Sequence, residues 1–164
     1  MATFNAATGG NTGGLSISKE GGFYRMWKTF NLPKLIASLN SGTAFPTSTV
    51  LNLFYVPAST LILSVNCIVH VAQGASLTMN VGITGDSATG FLSSVNLNST
   101  STNVITGHTS PYGTDYMLGK YVTTATTIDG VFTGTAASVA VFTCCALCVD
   151  MAQNDYKKVP LSYS

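Results

Sequence analysis

The residues best suited to chemistry lie close together near one end of the sequence. The stretch TCCALCVD, residues 143–150, places three of the four cysteines within five positions and ends in a carboxylate. Cysteines at such spacing bind zinc or take part in redox reactions when a tight turn brings both sulfurs to one point. The first question is therefore whether Cys145 and Cys148 form a metal or redox site.

The surrounding sequence predicts a strand in place of that turn. Residues 138–149 read SVAVFTCCALCV, a run of β-branched and apolar residues without Gly or Pro, which is typical of a strand buried on both faces. On a strand, Cys145 and Cys148 point to opposite faces at roughly 10 Å, too far apart for a disulfide or a shared ion. Cys67 falls on another predicted strand with no His beside it. We therefore interpret all four cysteines as small core residues and predict no metal site.

The remaining reactive residues form no catalytic pattern. GDSATG, residues 85–90, is similar to the nucleophile motif of one esterase family, but the sequence lacks the Asp-x-x-His that should follow it. We interpret the motif as a hairpin loop with an Asx-type turn at Asp86. His70 and His108 stand alone, and no second carboxylate follows Asp86 to complete a Ca²⁺ loop. We predict a non-enzymatic protein without a cofactor; a small hydrolase stays as an alternative if Ser87 lies beside a histidine.

Charge is scarce along the whole sequence. Only 8% of the 164 residues are Asp, Glu, Lys or Arg, and residues 35–85 carry none, whereas about 25% is usual for soluble domains. A surface of Thr, Ser, Asn and Gly with so little charge favours a component of an assembly. No apolar run reaches about 18 residues, and the first residues lack a secretory pattern, so we predict no membrane partner. Free cysteines indicate synthesis in a reducing cytoplasm.

Composition divides the chain into four zones. The first zone is rich in Gly, Asn, Thr and Ser and cannot fold alone, the second is basic and aromatic, and the third alternates like a set of strands. We predict a flexible N-terminal arm at 1–22, a connecting segment at 23–48, a β-sandwich body at 49–152 and a C-terminal tail at 153–164.

The second zone contains the only cluster of basic and aromatic residues, FYRMWKTFNLPK at 23–34. The first interpretation is a strand that packs Tyr24, Trp27 and Phe30 while its charges face solvent. The second is a contact with another protein, because Trp, Tyr and Arg are common at binding hot spots. Nucleic acid ranks last, since a net charge of +1 is far below that of nucleic-acid-binding domains.

Alternation of apolar and polar residues predicts strands from residue 49 onward. In Leu61–Val71 the odd positions are apolar, and in Leu77–Ile83 the alternation is cleaner. The turn signals between strands include Asp129-Gly130, and a short helix is expected at residues 33–39. Further predicted strands cover 49–56, 121–128 and 138–149, and residues 91–97 continue the pattern. The fold class is therefore all-β, with a β-sandwich or jelly-roll-like body and an extended N-terminal arm.

Three segments, taken in order, resemble a family of tailed-bacteriophage virion proteins that phages of cyanobacteria also carry. They are YVPASTLILSVNCIVHVA, LTMNVGITGDSATGFLSSVNL and ASVAVFTCCALCVD. The resemblance implies a capsid decoration, or cement, protein: a β-sandwich that forms a trimer on the outer surface of the virion and holds subunits of the major capsid protein together. For such a protein we expect the shell to be contacted by Arg25, Trp27, Lys28 and Lys34.

A phage tail, fibre or receptor-binding protein is the alternative within the virion. In that case the loop at residues 98–112 would meet a host molecule, and exposed aromatic side chains there would favour the idea. Tyr112 and Tyr116 are the candidates.

Overall fold

The protein is an all-β sandwich of two sheets, and one short helix lies in the part of the chain that the structure describes. The computed structural model describes residues 22–39, 42–100, 116 and 119–152 in full, and the backbone alone of residues 3–5, 16–20 and 105–106. In chain order the elements are β1 (Thr3–Asn5), β2 (Ser16–Glu20), β3 (Phe23–Asn31), α1 (Leu32–Leu39), β4 (Val50–Val56), β5 (Thr60–Val71), β6 (Leu77–Ile83), β7 (Ser87–Asn96), β8 (Ile105–Thr106), β9 (Lys120–Val122), β10 (Thr126–Gly134) and β11 (Val141–Asp150). The predicted fold class is confirmed.

The strands divide into two sheets that both use early and late parts of the chain. Sheet A has the order β1-β4-β10-β6-β7, and sheet B has the order β2-β3-β11-β5-β8 with β9 also beside β5. Every pairing among these strands is antiparallel except that of β1 with β4. β3, from the segment that the sequence analysis separated from the body, pairs with β11 from Phe23 to Asn31 and is an integral part of sheet B.

β11 is the central strand of sheet B and confirms the strand predicted around the cysteines. Its inward side chains Phe142, Cys144, Ala146 and Cys148 are fully buried. The intervening residues are only half-buried, so the expectation of burial on both faces is wrong for this chain. Nothing described in sheet A covers the outer face, because the second sheet packs against one side only.

β5 departs from its predicted alternation at its start. The odd positions were expected to face the core, but the buried residues are Ile62, Val65, Cys67 and Val69, while Leu61 and Leu63 lie half-exposed. The pairing of β5 with β11 shifts register between Leu147 and Cys148. Such a bulge adds one residue to one strand, which reverses the face that the following side chains occupy.

The predicted strand at 121–128 is in fact two strands in different sheets. Residues 120–122 pair with β5 in sheet B, and residues from Thr126 onward pair with β4 and β6 in sheet A. The turn predicted at Asp129-Gly130 is also wrong, because both residues lie inside β10, where the register with β4 shifts between Ile128 and Asp129. The Asp-Gly pair therefore marks a bulge and not a chain reversal.

Aromatic rings join the two sheets and the helix in one core. The Phe30 ring lies 5.3 Å from that of Phe142 within sheet B and 6.4 Å from that of Phe54 in sheet A, measured between centroids. The predicted helix is confirmed as α1, which buries Leu32, Leu35 and Ile36. Asn31 begins it, since its Oδ1 accepts the backbone N–H of Lys34 at 3.1 Å. No helix in the described part of the chain is long and apolar enough to cross a membrane.

The side chain of Gln73 fastens the segment that leads into β11. Its Oε1 accepts the backbone N–H groups of Ser138, Val139 and Ala140 at 3.1, 2.9 and 3.2 Å. Its Nε2 donates to the carbonyl oxygen of Ala136 at 3.3 Å and to Ser138 Oγ at 3.0 Å. One carboxamide therefore provides hydrogen bonds to consecutive backbone groups that are not paired with a neighbouring strand.

Replacing Gln73 should loosen this segment and destabilise the fold. We expect Gln73→Ala to lower the free energy of unfolding by about 1–3 kcal/mol, because several backbone donors lose their acceptor. Gln73→Glu is the matched control: a carboxylate oxygen still accepts the three backbone N–H groups, and its other oxygen opposes only the carbonyl of Ala136, so it should cost less than Gln73→Ala. Urea unfolding measures both, and equal stability of the alanine variant and the wild type would contradict this role.

Candidate interaction surface

The outward side of β3, β11, β5 and the short β9 forms one continuous surface, which we call the outer face of sheet B. Register places its residues in rows across the strands. One row runs Phe23, Val149, Leu61, Tyr121; the next runs Arg25, Leu147, Ser64; the third runs Trp27, Cys145, Asn66; and the fourth runs Thr29, Thr143, Ile68. Apolar side chains make up the whole first row and most of the third, and each of the other two rows contributes one.

Large aromatic rings on this face are open to solvent. Phe23, Trp27 and Tyr121 have exposed fractions of 52%, 38% and 49%. A cavity of about 310 Å³ lies beside them, lined by Arg25, Ser64, Asn66, Ile68, Thr143, Cys145 and Leu147. An aromatic and aliphatic surface with a concave centre is the usual anatomy of a protein-binding patch.

Polar contacts on the face close one end of the cavity. Thr143 Oγ1 lies 2.7 Å from Thr29 Oγ1 and 2.8 Å from Nε2 of His70, so the three side chains form a hydrogen-bonded row across the sheet. His70 is thereby engaged in a structural contact.

Arg25 is the one formal charge among the outward residues of β3, β11 and β5 that the structure describes. It lies near Cys145: burial raises the pKa of that thiol, and the guanidinium opposes the rise. A guanidinium in an apolar surface binds a carboxylate in preference to remaining unpaired when water is excluded. The face therefore combines hydrophobic area with a single positive anchor.

The structure separates the four residues expected to contact a shell. Arg25 and Trp27 share the outer face, and Lys34 lies on the exposed side of α1. Lys28 points inward and is only 2% exposed, with its Nζ 5.8 Å from the centroid of the Phe30 ring. Burial lowers the pKa of this lysine. One interpretation of the sequence was that the charged residues of β3 face solvent while Trp27 packs in the core. It is wrong for Lys28, which alternation places inward with Tyr24, and for Trp27, which alternation places outward with Arg25.

A second cavity, of about 350 Å³, lies beside the β6–β7 hairpin. There Asp86 and Lys120 form an ion pair, and hydrogen bonds from Lys120 and then Tyr116 lower the pKa of Asp86. The predicted hairpin is confirmed, since β6 and β7 pair across it.

No described histidine approaches the serine of this hairpin. Ser87 begins β7 in sheet A and donates its backbone N–H to the hydroxyl of Tyr116 at 3.1 Å, whereas His70 lies on the outer face of sheet B. His108 lies outside the described residues. The cavity therefore gives the hydrolase alternative no described nucleophile and base pair.

Tyr116 is a packing residue and not an exposed contact for a host molecule. It is 7% exposed, and its ring centroid lies 4.8 Å from that of Phe91. The ring rests on Gly90, where an added Cβ would lie 2.1 Å from Tyr116 Cε2. The expectation that Tyr116 is exposed is thus wrong. Tyr112 and most of the loop at 98–112 lie outside the described residues.

The interpretation of the cysteines as core residues is confirmed for Cys67, Cys144 and Cys148 and wrong for Cys145, which is half-buried on the outer face. Cys145 is on the outer face and Cys148 is buried, so these two side chains point to opposite faces as expected. The sequence analysis missed that Cys144 and Cys67 are register partners on β11 and β5. Among the described residues no group of three or more His, Cys, Asp or Glu side chains could hold a metal ion.

Two solved structures share this arrangement of strands. A chain of the capsid of Ralstonia phage GP4 is 9% identical with a TM-score of 0.54, and the match covers 81% of this chain and 87% of that one. A chain of the cyanophage Pam1 capsid asymmetric unit is 16% identical with a TM-score of 0.52, covering 88% of this chain and 98% of that one. At such identities the likeness shows a common fold. No protein-family description and no curated protein sequence matches the chain.

Two buried titratable groups, one on β3 and one on β11, make the stability of the fold depend on pH in the alkaline range. Burial raises the pKa of Tyr24 to about 12 from 10.0, and raises that of Cys148 to about 12 from 9.0. Tyr24 also shares a hydrogen bond of 3.1 Å with Thr60 Oγ1. Because the folded values exceed the unfolded ones, the stability that these groups contribute is complete below the unfolded pKa and is lost as pH rises through the folded pKa.

We expect the free energy of unfolding to fall between about pH 9 and pH 12. Tyr24→Phe should reduce the part of this decline that begins near pH 10, and Cys148→Ala the part that begins near pH 9. Urea midpoints measured across this range with a reducing agent test both slopes. Slopes identical to that of the wild type would show that these groups titrate alike in the folded and unfolded chains.

Proposed function

We propose that this chain is a non-enzymatic structural protein of a tailed-bacteriophage virion. In the proposal it decorates the outside of the head as a trimer and holds subunits of the major capsid protein together, without a cofactor. The fold that it shares with chains of two phage capsids, over most of its length, supports the virion class. The low fraction of charged residues supports a role as a component of an assembly.

The observation that carries the proposal is the outer face of sheet B. Three exposed aromatic rings and a cavity of about 310 Å³ surround one positive charge. The three long strands β3, β11 and β5, about 4.8 Å apart and paired over about nine residues, span roughly 400 Å². A partner that covered this face would remove the exposed aromatic and aliphatic side chains from water, which favours binding.

Binding there would stabilise a shell by mass action. A protein that binds only the assembled shell favours assembly by an amount that grows with its concentration relative to its Kd. A site that bridges two shell subunits also opposes their separation, because both contacts must break before they part. Neither effect needs catalytic residues.

Within the proposed contact, Arg25 and Trp27 have separate tasks. Trp27 supplies apolar area, and Arg25 pairs with a carboxylate of the shell, because a desolvated guanidinium without a partner would be costly. Lys34 stays a candidate from its exposed position on α1. Lys28 lies inside the sandwich and is 2% exposed, so it is not part of the proposed contact.

Copy number per virion tests the proposed function. Purified particles would be separated by electrophoresis, and the band of this chain compared with that of the major capsid protein. A decoration protein should be present in hundreds of copies, in a simple ratio to the shell subunit. A dozen copies or fewer would overturn the proposal and favour a vertex, tail or receptor-binding location.

Substitutions on the outer face should weaken binding to undecorated heads. We expect Trp27→Ala and Arg25→Glu each to raise the Kd by roughly 30-fold or more, the cost of losing a hot-spot residue. Tyr55→Ala is the matched control, since Tyr55 is an exposed aromatic residue on the other sheet with an exposed fraction of 56%. Co-sedimentation with heads measures occupancy. Unchanged occupancy for both outer-face variants would place the contact elsewhere.

The trimer is tested in solution. Light scattering of the purified chain should give three times the subunit mass of 17.0 kDa. A monomer at micromolar concentration would contradict a trimer that forms before binding. The copy-number measurement would then decide whether three subunits assemble only on the shell.

A further inference from the structure

A pair of cysteines lies at the centre of sheet B, facing the core. Cys144 of β11 and Cys67 of β5 are direct register partners, and both are completely buried. The register is regular from Phe142 to Leu147, so the pair does not sit in a bulge. Both thiols are free in this structure.

Geometry brings the two sulfurs within reach of each other. Opposed residues on antiparallel strands have Cα atoms about 4.5–5.5 Å apart, inside the range of about 4.4–6.8 Å found in disulfides. Their Cβ atoms are about 4.5–5.5 Å apart, so closing the bond needs a shift of roughly 1 Å. The Cys144 thiol forms a hydrogen bond with the Cys67 thiol, and this contact, together with burial, raises the pKa of Cys144.

We propose that Cys67 and Cys144 form a cross-strand disulfide when the chain folds in the presence of a small-molecule disulfide, before packing of the sandwich closes access to the pair. The thiolate of one cysteine attacks a sulfur of oxidised glutathione, forming a mixed disulfide and releasing one glutathione thiol. The thiolate of the other cysteine then attacks the protein sulfur of that mixed disulfide and releases the second glutathione. The two protein sulfurs are oxidised, and one glutathione disulfide is reduced to two thiols.

The bond would close a large loop through both sheets. Residues 68–143 lie between the two cysteines and contain β6, β7 and β10, three of the five strands of sheet A. A cross-link over so long a segment restricts the unfolded chain strongly, so it should raise the melting temperature by about 10 °C. The other two cysteines lack such a partner, because Cys145 is opposed by Asn66 and Cys148 by Ile62.

The test uses the full chain alone, so its result is independent of the proposed function. The reduced, urea-unfolded protein is refolded in a mixture of reduced and oxidised glutathione, which avoids the slow access of reagents to a buried pair. Free thiols are then alkylated under denaturing conditions and located by peptide mass spectrometry. We expect a disulfide between Cys67 and Cys144, alkylated Cys145 and Cys148, and a melting temperature that returns to the reduced value after treatment with dithiothreitol.

Two variants sharpen the result. Cys148→Ala removes a buried thiol from the same strand and face and should keep both the cross-link and the shift in melting temperature. Cys144→Ala should lose both. Alkylation of Cys67 and Cys144 in refolded wild-type protein that shows the native circular dichroism spectrum would overturn the inference, as would a cross-link that lowers the melting temperature.

Discussion

The ladder between β11 and its two neighbours is the constraint on which the rest of the structure depends. β11 pairs with β3 over nine residues and with β5 over ten. This double pairing decides which side chains of three strands enter the core and which face out. It places Phe142 against Phe30 inside, and it places Arg25, Trp27 and Leu147 together outside. A shift of one residue in either pairing would exchange the two sets and destroy core and surface at once.

Local sequence patterns were sufficient wherever the structure is locally regular. The alternation in Leu77–Ile83, the uninterrupted apolar run of β11 and the proline near the start of α1 each predicted its element correctly. They failed where a distant partner decides the outcome. The bulge opposite Leu147 turns Leu61 and Leu63 outward, and the change of sheet after Val122 divides one predicted strand into two. Neither feature has a signature within the strand itself.

For the same reason, the sequence indicated only some of the residues of the candidate surface. Arg25 and Trp27 stood out by residue type, but their partners Cys145, Leu147 and Ile68 come from strands more than 40 residues away. Lys28 was expected outside because lysine rarely enters a core. The alternation of side chains along β3 places Lys28 inside, where it is the register partner of Cys144. Pairing also joined Cys67 to Cys144, a relation that spacing along the chain cannot reveal.

The position of β11 along the chain has a consequence for biosynthesis. Among the described strands it is the last to leave the ribosome, yet it lies between β3 and β5, which emerge far earlier. Until residues 141–150 are available, those two strands have no shared neighbour, and their inward apolar side chains lack the partner that joins them. Sheet B can therefore be completed only after translation of this segment, through contacts of high sequence separation, a kind of contact that slows folding.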